Sequence, residues 1–208
     1  KQPHAVINFP KGRYDFWPDR AAETHYYISN TSSELEFPLK KQRVGLLLKG
    51  MKNVSIQGNG SLFVFHGKMI TWAIDSSENI SILNVSVDYE RPGMSEMTLT
   101  EISDNAITAR IHPDSKFSII NDRLEWYGEK WITRNYHAIL VKAPQGTLFY
   151  RSWEPFLKSK AEIIAPFTVK FTGDFTKFEA DTGDVLTIRD RYRDYVGAFH
   201  NRSKNIML

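Results

Sequence analysis

Residues 44–88, VGLLLKGMKNVSIQGNGSLFVFHGKMITWAIDSSENISILNVSVD, carry one phrase twice. Val44-Gly45-Leu46-Leu47-Leu48 stands nine residues ahead of Asn53-Val54-Ser55-Ile56. Ile70-Thr71-Trp72-Ala73-Ile74 stands nine residues ahead of Asn79-Ile80-Ser81-Ile82. The copies are 26 residues apart, within the range of solenoid repeats. A third copy, Val196-Gly197-Ala198-Phe199-His200 followed by Asn205-Ile206-Met207-Leu208, lies 126 residues after the second. That is one period plus 100 residues, so a domain is expected to be inserted into the repeat.

Each copy reads as strand, polar corner, strand. Val44, Leu46 and Leu48 occupy alternate positions, and Ile74 is followed by the polar corner Asp75-Ser76-Ser77-Glu78. Side chains of a strand point to opposite faces with period two, and these pieces are too short for amphipathic helices. Short strands at a fixed period stack coil on coil by parallel pairing and bury an apolar column. Asn53, Asn79 and Asn205 align at one corner, where stacked side-chain amides can bond one another. The rival reading is a meander in which these asparagines are ordinary turn formers. Agreement of three copies in register favours the stacked coil. The sequons at Asn30, Asn53, Asn59, Asn79, Asn84 and Asn201 fall largely in corners and strands, and are read as repeat grammar before glycosylation sites.

The 208 residues hold 41% apolar and 25% charged side chains, with 27 basic against 24 acidic. This is a globular composition. A net charge of +3 without a basic cluster gives no case for a nucleic-acid partner. Cysteine is absent, which excludes disulfides, thiolate metal sites and a cysteine nucleophile. The six histidines lack close metal-ligand spacing, and no glycine-rich phosphate loop occurs. No signal peptide or membrane-length apolar run is present. A periplasmic, secreted or cell-envelope location with a removed signal is expected. The chain stops inside the third copy, and nothing there resembles a capping coil. It is expected to be the first part of a longer protein, with self-association through the exposed final coil.

Upstream of the repeat, residues 4–16 read as two strands around Pro10-Lys11-Gly12. Residues 20–25 read as a helical turn or loop, and Tyr26-Tyr27-Ile28-Ser29-Asn30 as a short strand. The expected organisation is an N-terminal cap with the first coils at 1–91, an inserted antiparallel β domain at 92–188, and a return to the coil at 189–208. In the insert, MTLTEIS and NAITARI, HAILVK and TLFYRSW, and FTVKF and VLTIR are joined at Asn, Asp or Gly positions, as hairpins are. A barrel or sandwich fits. Residues 117–136 are less regular and read as a loop or short helix over the barrel's mouth.

The blocks INFPKGRYDFWPD, YYISN, LLLKGMKNVSIQGNGSLFVFHGKM, ENISILNVSVDYERP and GDVLTIRDRYRDYVGAFHNRSKNIML resemble the N-terminal half of the α-1,3-galactosidases of glycoside hydrolase family 110. The resemblance covers essentially the whole chain and is weaker within the insert. It implies a bacterial, largely Bacteroides, origin and removal of terminal α-1,3-linked galactose from blood-group B and linear glycans. It also implies inversion at the anomeric carbon, no cofactor, and a right-handed parallel β-helix carrying inserted barrel domains. That agrees with the fold class read from the repeat: all-β, an incomplete right-handed parallel β-helix with an inserted antiparallel β-barrel-like domain. The family's catalytic aspartates correspond to coils beyond Leu208, so none is carried over, and the chain alone is expected to be inactive.

Candidate contact residues are therefore sought among polar groups in unusual settings. IRDRYRDY places Arg189, Arg191 and Arg193 with Asp190 and Asp194 where the insert returns to the coil. An arginine fork there suits sugar hydroxyls, and an ion-pair seam is the structural alternative. Arg189 is the first choice, with Arg191 beside it. His66 follows an apolar run, and His200 replaces the apolar residues aligned at Leu48 and Ile74; both are candidates, with a satisfied structural histidine as the alternative. Asp75, aligned with Lys49 and Asn201, and Asp88, before the insert, are the carboxylates nearest the coils. Asp75 reads more readily as a capping aspartate, and Asp88 as a strand end. Trp72, Trp126, Trp131 and Trp153 could stack on sugar, although aromatics more often fill cores. The expected partner is a galactose-terminated glycan. The rivals are a non-catalytic carbohydrate-binding or structural β-helix domain, and a β-helix enzyme acting on another, anionic polysaccharide.

Overall fold

A computed structural model describes residues 4–28, 41–134, 137–190 and 195–208, and no helix occurs among them. The chain divides into two units, Lys1–Glu90 with Tyr192–Leu208, and Arg91–Arg191.

In the first unit the strands are β1 (Ala5–Asn8), β2 (Arg13–Phe16), β3 (Ala22–His25), β4 (Lys41–Lys49), β5 (Lys52–Phe65), β6 (Ile70–Asp75) and β7 (Glu78–Tyr89). After the second unit come β18 (Ala198–Asn201) and β19 (Lys204–Met207). From β4 on, consecutive strands of this unit alternate between two sheets. One is β18-β6-β4-β3; the other is β1-β5-β7-β19, with β2 also on β5. The repeat becomes register: Val44 pairs with Ile70 and Leu48 with Ile74 in parallel, and Ile74 pairs with His200. On the second sheet Val54 meets Ile80 and Ile80 meets Ile206.

Stacking at this register buries like on like. Leu48 and Ile74 from one sheet and Val54, Ile56, Ile80 and Ile82 from the other form a buried column, with Leu46, Trp72 and Ile206 packed against it. A second cluster is aromatic: Phe63, Phe65 and Met69 are fully buried against Phe9, Tyr14 and Phe16, and Phe16 stacks on Phe65 at 4.7 Å.

The corners explain the asparagines. Asn53, Asn79 and Asn205 have φ of 55°, 56° and 55°, and Gly50, Ser76 and Arg202 repeat a left-handed position at 65°, 52° and 46°. Asparagine tolerates this region better than other residues with a Cβ. Asn79 donates to Asn53 Oδ1 at 2.7 Å, and Asn205 donates to Asn79 Oδ1 at 2.9 Å. Serines form a parallel ladder: Ser77 Oγ accepts from Met51 N at 3.0 Å, and Ser203 Oγ accepts from Ser77 N at 3.1 Å.

Two expectations fail upstream. Residues 22–25 are not a helical turn; β3 pairs antiparallel with β4, Ala22 opposite Val44 and His25 opposite Lys41. The edge of β4 supplies the ladder bonds, and Glu23 meets Lys41 and Arg43 at 2.8 and 2.7 Å, so pairing overrides local propensity. Tyr26-Tyr27-Ile28 is not a strand; Tyr26 and Ile28 are buried against Val44, Ile70 and Ala73. Ser29 and Asn30 lie outside the described residues.

In the second unit the strands are β8 (Met94–Ile102), β9 (Ala106–Ile111), β10 (Phe117–Ile120), β11 (Arg123–Gly128), β12 (Trp131–Thr133), β13 (Ala138–Lys142), β14 (Thr147–Trp153), β15 (Lys160–Ala165), β16 (Thr168–Thr172) and β17 (Val185–Arg189). They form a seven-stranded sheet, β14-β13-β17-β8-β9-β16-β15, and a three-stranded sheet, β10-β11-β12. All pairings are antiparallel. The expected β8–β9 and β13–β14 hairpins are present. FTVKF and VLTIR are not partners: β16 pairs with β15 and β9, and β17 with β13 and β8.

The sheet is open, not a closed barrel. Among the described residues β14 and β15 are its edges, and the smaller sheet lies beside β15, where Ala161 N–H donates to Asp122 O at 2.8 Å. Residues 117–133 are thus a meander in place of the expected loop. Asn121 and Asp122, with φ of 50° and 59°, form a two-residue turn of the kind that suits hairpin twist. Trp126, Leu99, Ile107, Ala138, Val169 and Leu186 are among this unit's buried core.

Candidate functional site

Period-two alternation places a polar row at the end of the β18-β6-β4 sheet. In β6, Trp72 and Ile74 face the inner column while Ala73 packs on the other side, against Tyr26 and Phe199. The next residue on that outer side is Asp75, and its register partners are Lys49 of β4 and Asn201 of β18. Asp75 is 6% exposed. Burial of a carboxylate demands donors, and three donors and one more distant ammonium converge on it. Asn201 Nδ2 donates to Oδ1 at 2.9 Å, Ser76 Oγ to Oδ1 at 3.1 Å and Tyr26 OH to Oδ2 at 3.3 Å. Lys49 Nζ lies 3.8 Å from Oδ2.

These groups line a cleft of about 460 Å³, completed by His25, Tyr27, Phe199 and Arg202. Tyr26 and Phe199 stack obliquely with ring centroids 4.6 Å apart. Burial, and then the negative charge of Asp75, push the Tyr26 phenol up to about 12. The cleft therefore presents a neutral phenol, a hydroxyl, an amide and two exposed cations around one buried carboxylate. It offers hydrogen bonds in both senses. Among the described residues that line it Asp75 is the single carboxylate, so these residues form no carboxylate pair.

The candidates from sequence fall elsewhere. His200 stands in register with Ile74 on the inner column, and Trp72 Nε1 donates to its Nε2 at 3.3 Å. His66 is buried, its Nε2 2.9 Å from Asp15 Oδ1 and its ring stacked on Trp17 at 3.6 Å. His66 is thus enclosed, whereas His200 is exposed. Arg189 ends β17 opposite Met94 in the second unit and is half-buried. Its neighbour Asp190 is buried, and the Asp190 backbone N–H donates to Gly93 O at 2.7 Å. Arg191, Arg193 and Asp194 lie outside the described residues. Asp88 is exposed and accepts from Tyr89 N at 2.8 Å. Trp126 and Trp131 are core residues, the latter under the Arg91 guanidinium at 5.0 Å. Among the described residues no group of three or more His, Asp or Glu is placed to hold a metal, and no helix is long and apolar enough to cross a membrane.

Tyr26, Ser76 and Arg202 were not singled out by sequence. The alignment of positions 49, 75 and 201 was the available signal, and it leads to Asp75. Tyr26 precedes the first repeat and carries no such mark.

Residues 95–186 match the family model of GLAA-B β-barrel domain I. Along 98% of its length the chain is 38% identical to α-1,3-galactosidase A of Bacteroides fragilis. The chain is homologous to part of the α-1,3-galactosidases. The corresponding enzyme of Bacteroides thetaiotaomicron is 31% identical over 98% of the chain, and α-1,3-galactosidase B of the same species is 29% identical over all of it. This bears out the resemblance to glycoside hydrolase family 110. The chain spans about a third of the length of these relatives, between 34% and 36%.

Proposed function

We propose that this chain is part of an exo-acting, inverting α-1,3-galactosidase that removes terminal α-1,3-linked galactose from glycans. The similarity to α-1,3-galactosidase A over 98% of the chain carries the reading. In it, the two parallel sheets that share the 26-residue register are coils of a right-handed parallel β-helix, and residues 91–191 are an insertion between coils. Inversion needs a carboxylic acid and a carboxylate about 6.5–9.5 Å apart, with a water between them and the sugar. Among its described lining residues the Asp75 cleft has one carboxylate, engaged by three hydrogen-bond donors and paired with Lys49 at 3.8 Å. In this reading the chain by itself is inactive, and the catalytic pair belongs to another part of the enzyme. Arg189 remains the proposed sugar-contacting cation of the second unit, and no cofactor enters the reaction.

The single carboxylate among the cleft's described lining residues favours one alternative, a saccharide-binding role without turnover. The test follows galactose release from Gal-α-1,3-Gal by NMR, for this chain and for the full-length parent. β-Galactose as the first product of the parent alone is expected. α-Galactose would make the enzyme retaining, release by the 208-residue chain would overturn its inactivity, and no release by either would move the function to binding.

A further inference from the structure

We propose that the corner cleft around Asp75 is a saccharide subsite that holds a hexopyranose unit of a glycan without cutting it. Its volume of about 460 Å³ lies within the roughly 300–1,000 Å³ of small-molecule sites. Its floor is a buried charge, not a chance surface dip. Asp75 does not act as a free acceptor, since both its oxygens already face donors. It fixes the directions of the groups that surround it. Those groups keep capacity: an ammonium carries three donors, an amide offers N–H and C=O, and hydroxyl and phenol oxygens accept as well as donate. A rigid frame of mixed donors and acceptors is what vicinal sugar hydroxyls require. Tyr27, 60% exposed at the same cleft, adds a ring face for the C–H surface of a pyranose.

Charge separates this occupant from a cation. Lys49 and Arg202 flank one carboxylate, so the site repels a divalent metal, which prefers several oxygen ligands and carboxylates. Among the described lining residues Asp75 stands without the second carboxylate that glycoside hydrolysis uses, which favours binding over hydrolysis. The inference takes only the identity of the sugar from the galactosidase reading.

The test is saturation-transfer NMR of Gal-α-1,3-Gal with the 208-residue chain and with Tyr27→Ala and Lys49→Ala. Both side chains are exposed, and unchanged circular dichroism and melting temperature confirm folding. Saturable binding that weakens five-fold or more in each variant is expected. No saturable binding, or binding unchanged in both variants, overturns the subsite. The two readings fail separately. A parent that releases galactose while this chain binds nothing rejects the subsite alone. Cleft binding beside a parent that releases no galactose rejects the enzyme alone.

Discussion

The Asn79 side-chain amide donates to Asn53 Oδ1 at 2.7 Å, one full repeat upstream, and both residues have left-handed backbones with φ of 56° and 55°. One residue type thus serves two ends, conformation and bonding from one repeat to the next. Substitutions can separate them. Asn79→Gly keeps the backbone and loses two ladder bonds, those to Asn53 and Asn205. Net hydrogen bonds contribute about 0.5–1.5 kcal/mol each, toward the low end when exposed. Asn79→Ala adds a left-handed penalty of about 1–2 kcal/mol. In urea unfolding, Ala is expected to fall below Gly, and Gly below Asn; equal Ala and Gly would remove the conformational argument.

Asp75 organises the corner cleft, so its loss leaves Tyr26, Asn201 and Lys49 without their acceptor. Asp75→Ala is expected to lower stability by about 2–4 kcal/mol, since each buried unsatisfied polar group costs about 1–3. Asp75→Asn tests the electrostatics. Tyr26 is held at about 12 by burial and by the Asp75 charge; removing the charge brings it down toward the ordinary value near 10. Because the folded state keeps this proton longer than the unfolded state, wild-type stability falls as pH rises above about 10. Ring-carbon NMR of labelled tyrosine would follow it. A Tyr26 titration unmoved by Asp75→Asn would assign the shift to burial alone.

Asp15 contributes to the acid sensitivity of the first unit. Hydrogen bonds from Arg13, and next from His66, hold its carboxyl down at about 2. A depressed carboxylate contributes stability that is complete above the unfolded value of about 3.9 and lost as pH falls toward 2. Asp15→Asn is expected to flatten the stability slope between pH 4 and pH 2. Urea midpoints across that range decide it, and an unaltered slope would place the acid sensitivity elsewhere.

Gly45 makes room for an aromatic ring. A Cβ there would sit 2.4 Å from Phe65 Cε1 and 3.0 Å from Thr71 O. Phe65 is fully buried and stacked on Phe16, so neither ring gives way cheaply. Gly45→Ala is expected to cost about 1–3 kcal/mol by overpacking. Gly50 is the control: a methyl group there would meet nothing within 4 Å, but φ is +65°, so Gly50→Ala costs only the backbone term of about 1 kcal/mol. Thermal melts should place Gly45→Ala below Gly50→Ala.

The 26-residue period was legible because identical corners need identical backbones. Left-handed positions at 53, 79 and 205 select asparagine, and parallel register aligns Leu48, Ile74 and His200. The insert was legible only where hairpin turns carry the usual residues. Asn121-Asp122 lacks the glycine that commonly marks such a turn, so the β10–β12 meander read as a loop. β3 was hidden because its strand state depends on the edge of β4, which no local pattern announces.

By itself the sequence determined the repeat, its register and the corner column of Lys49, Asp75 and Asn201, since all three follow from period and alternation along one chain. Only the tertiary structure decided what that column does. Tyr26 and Phe199 reach it from segments far apart in sequence and enclose the carboxylate, and His200, aligned with core residues, sits on the inner face with Trp72. Burial and donor geometry arise from such long-range packing, and local pattern does not encode them.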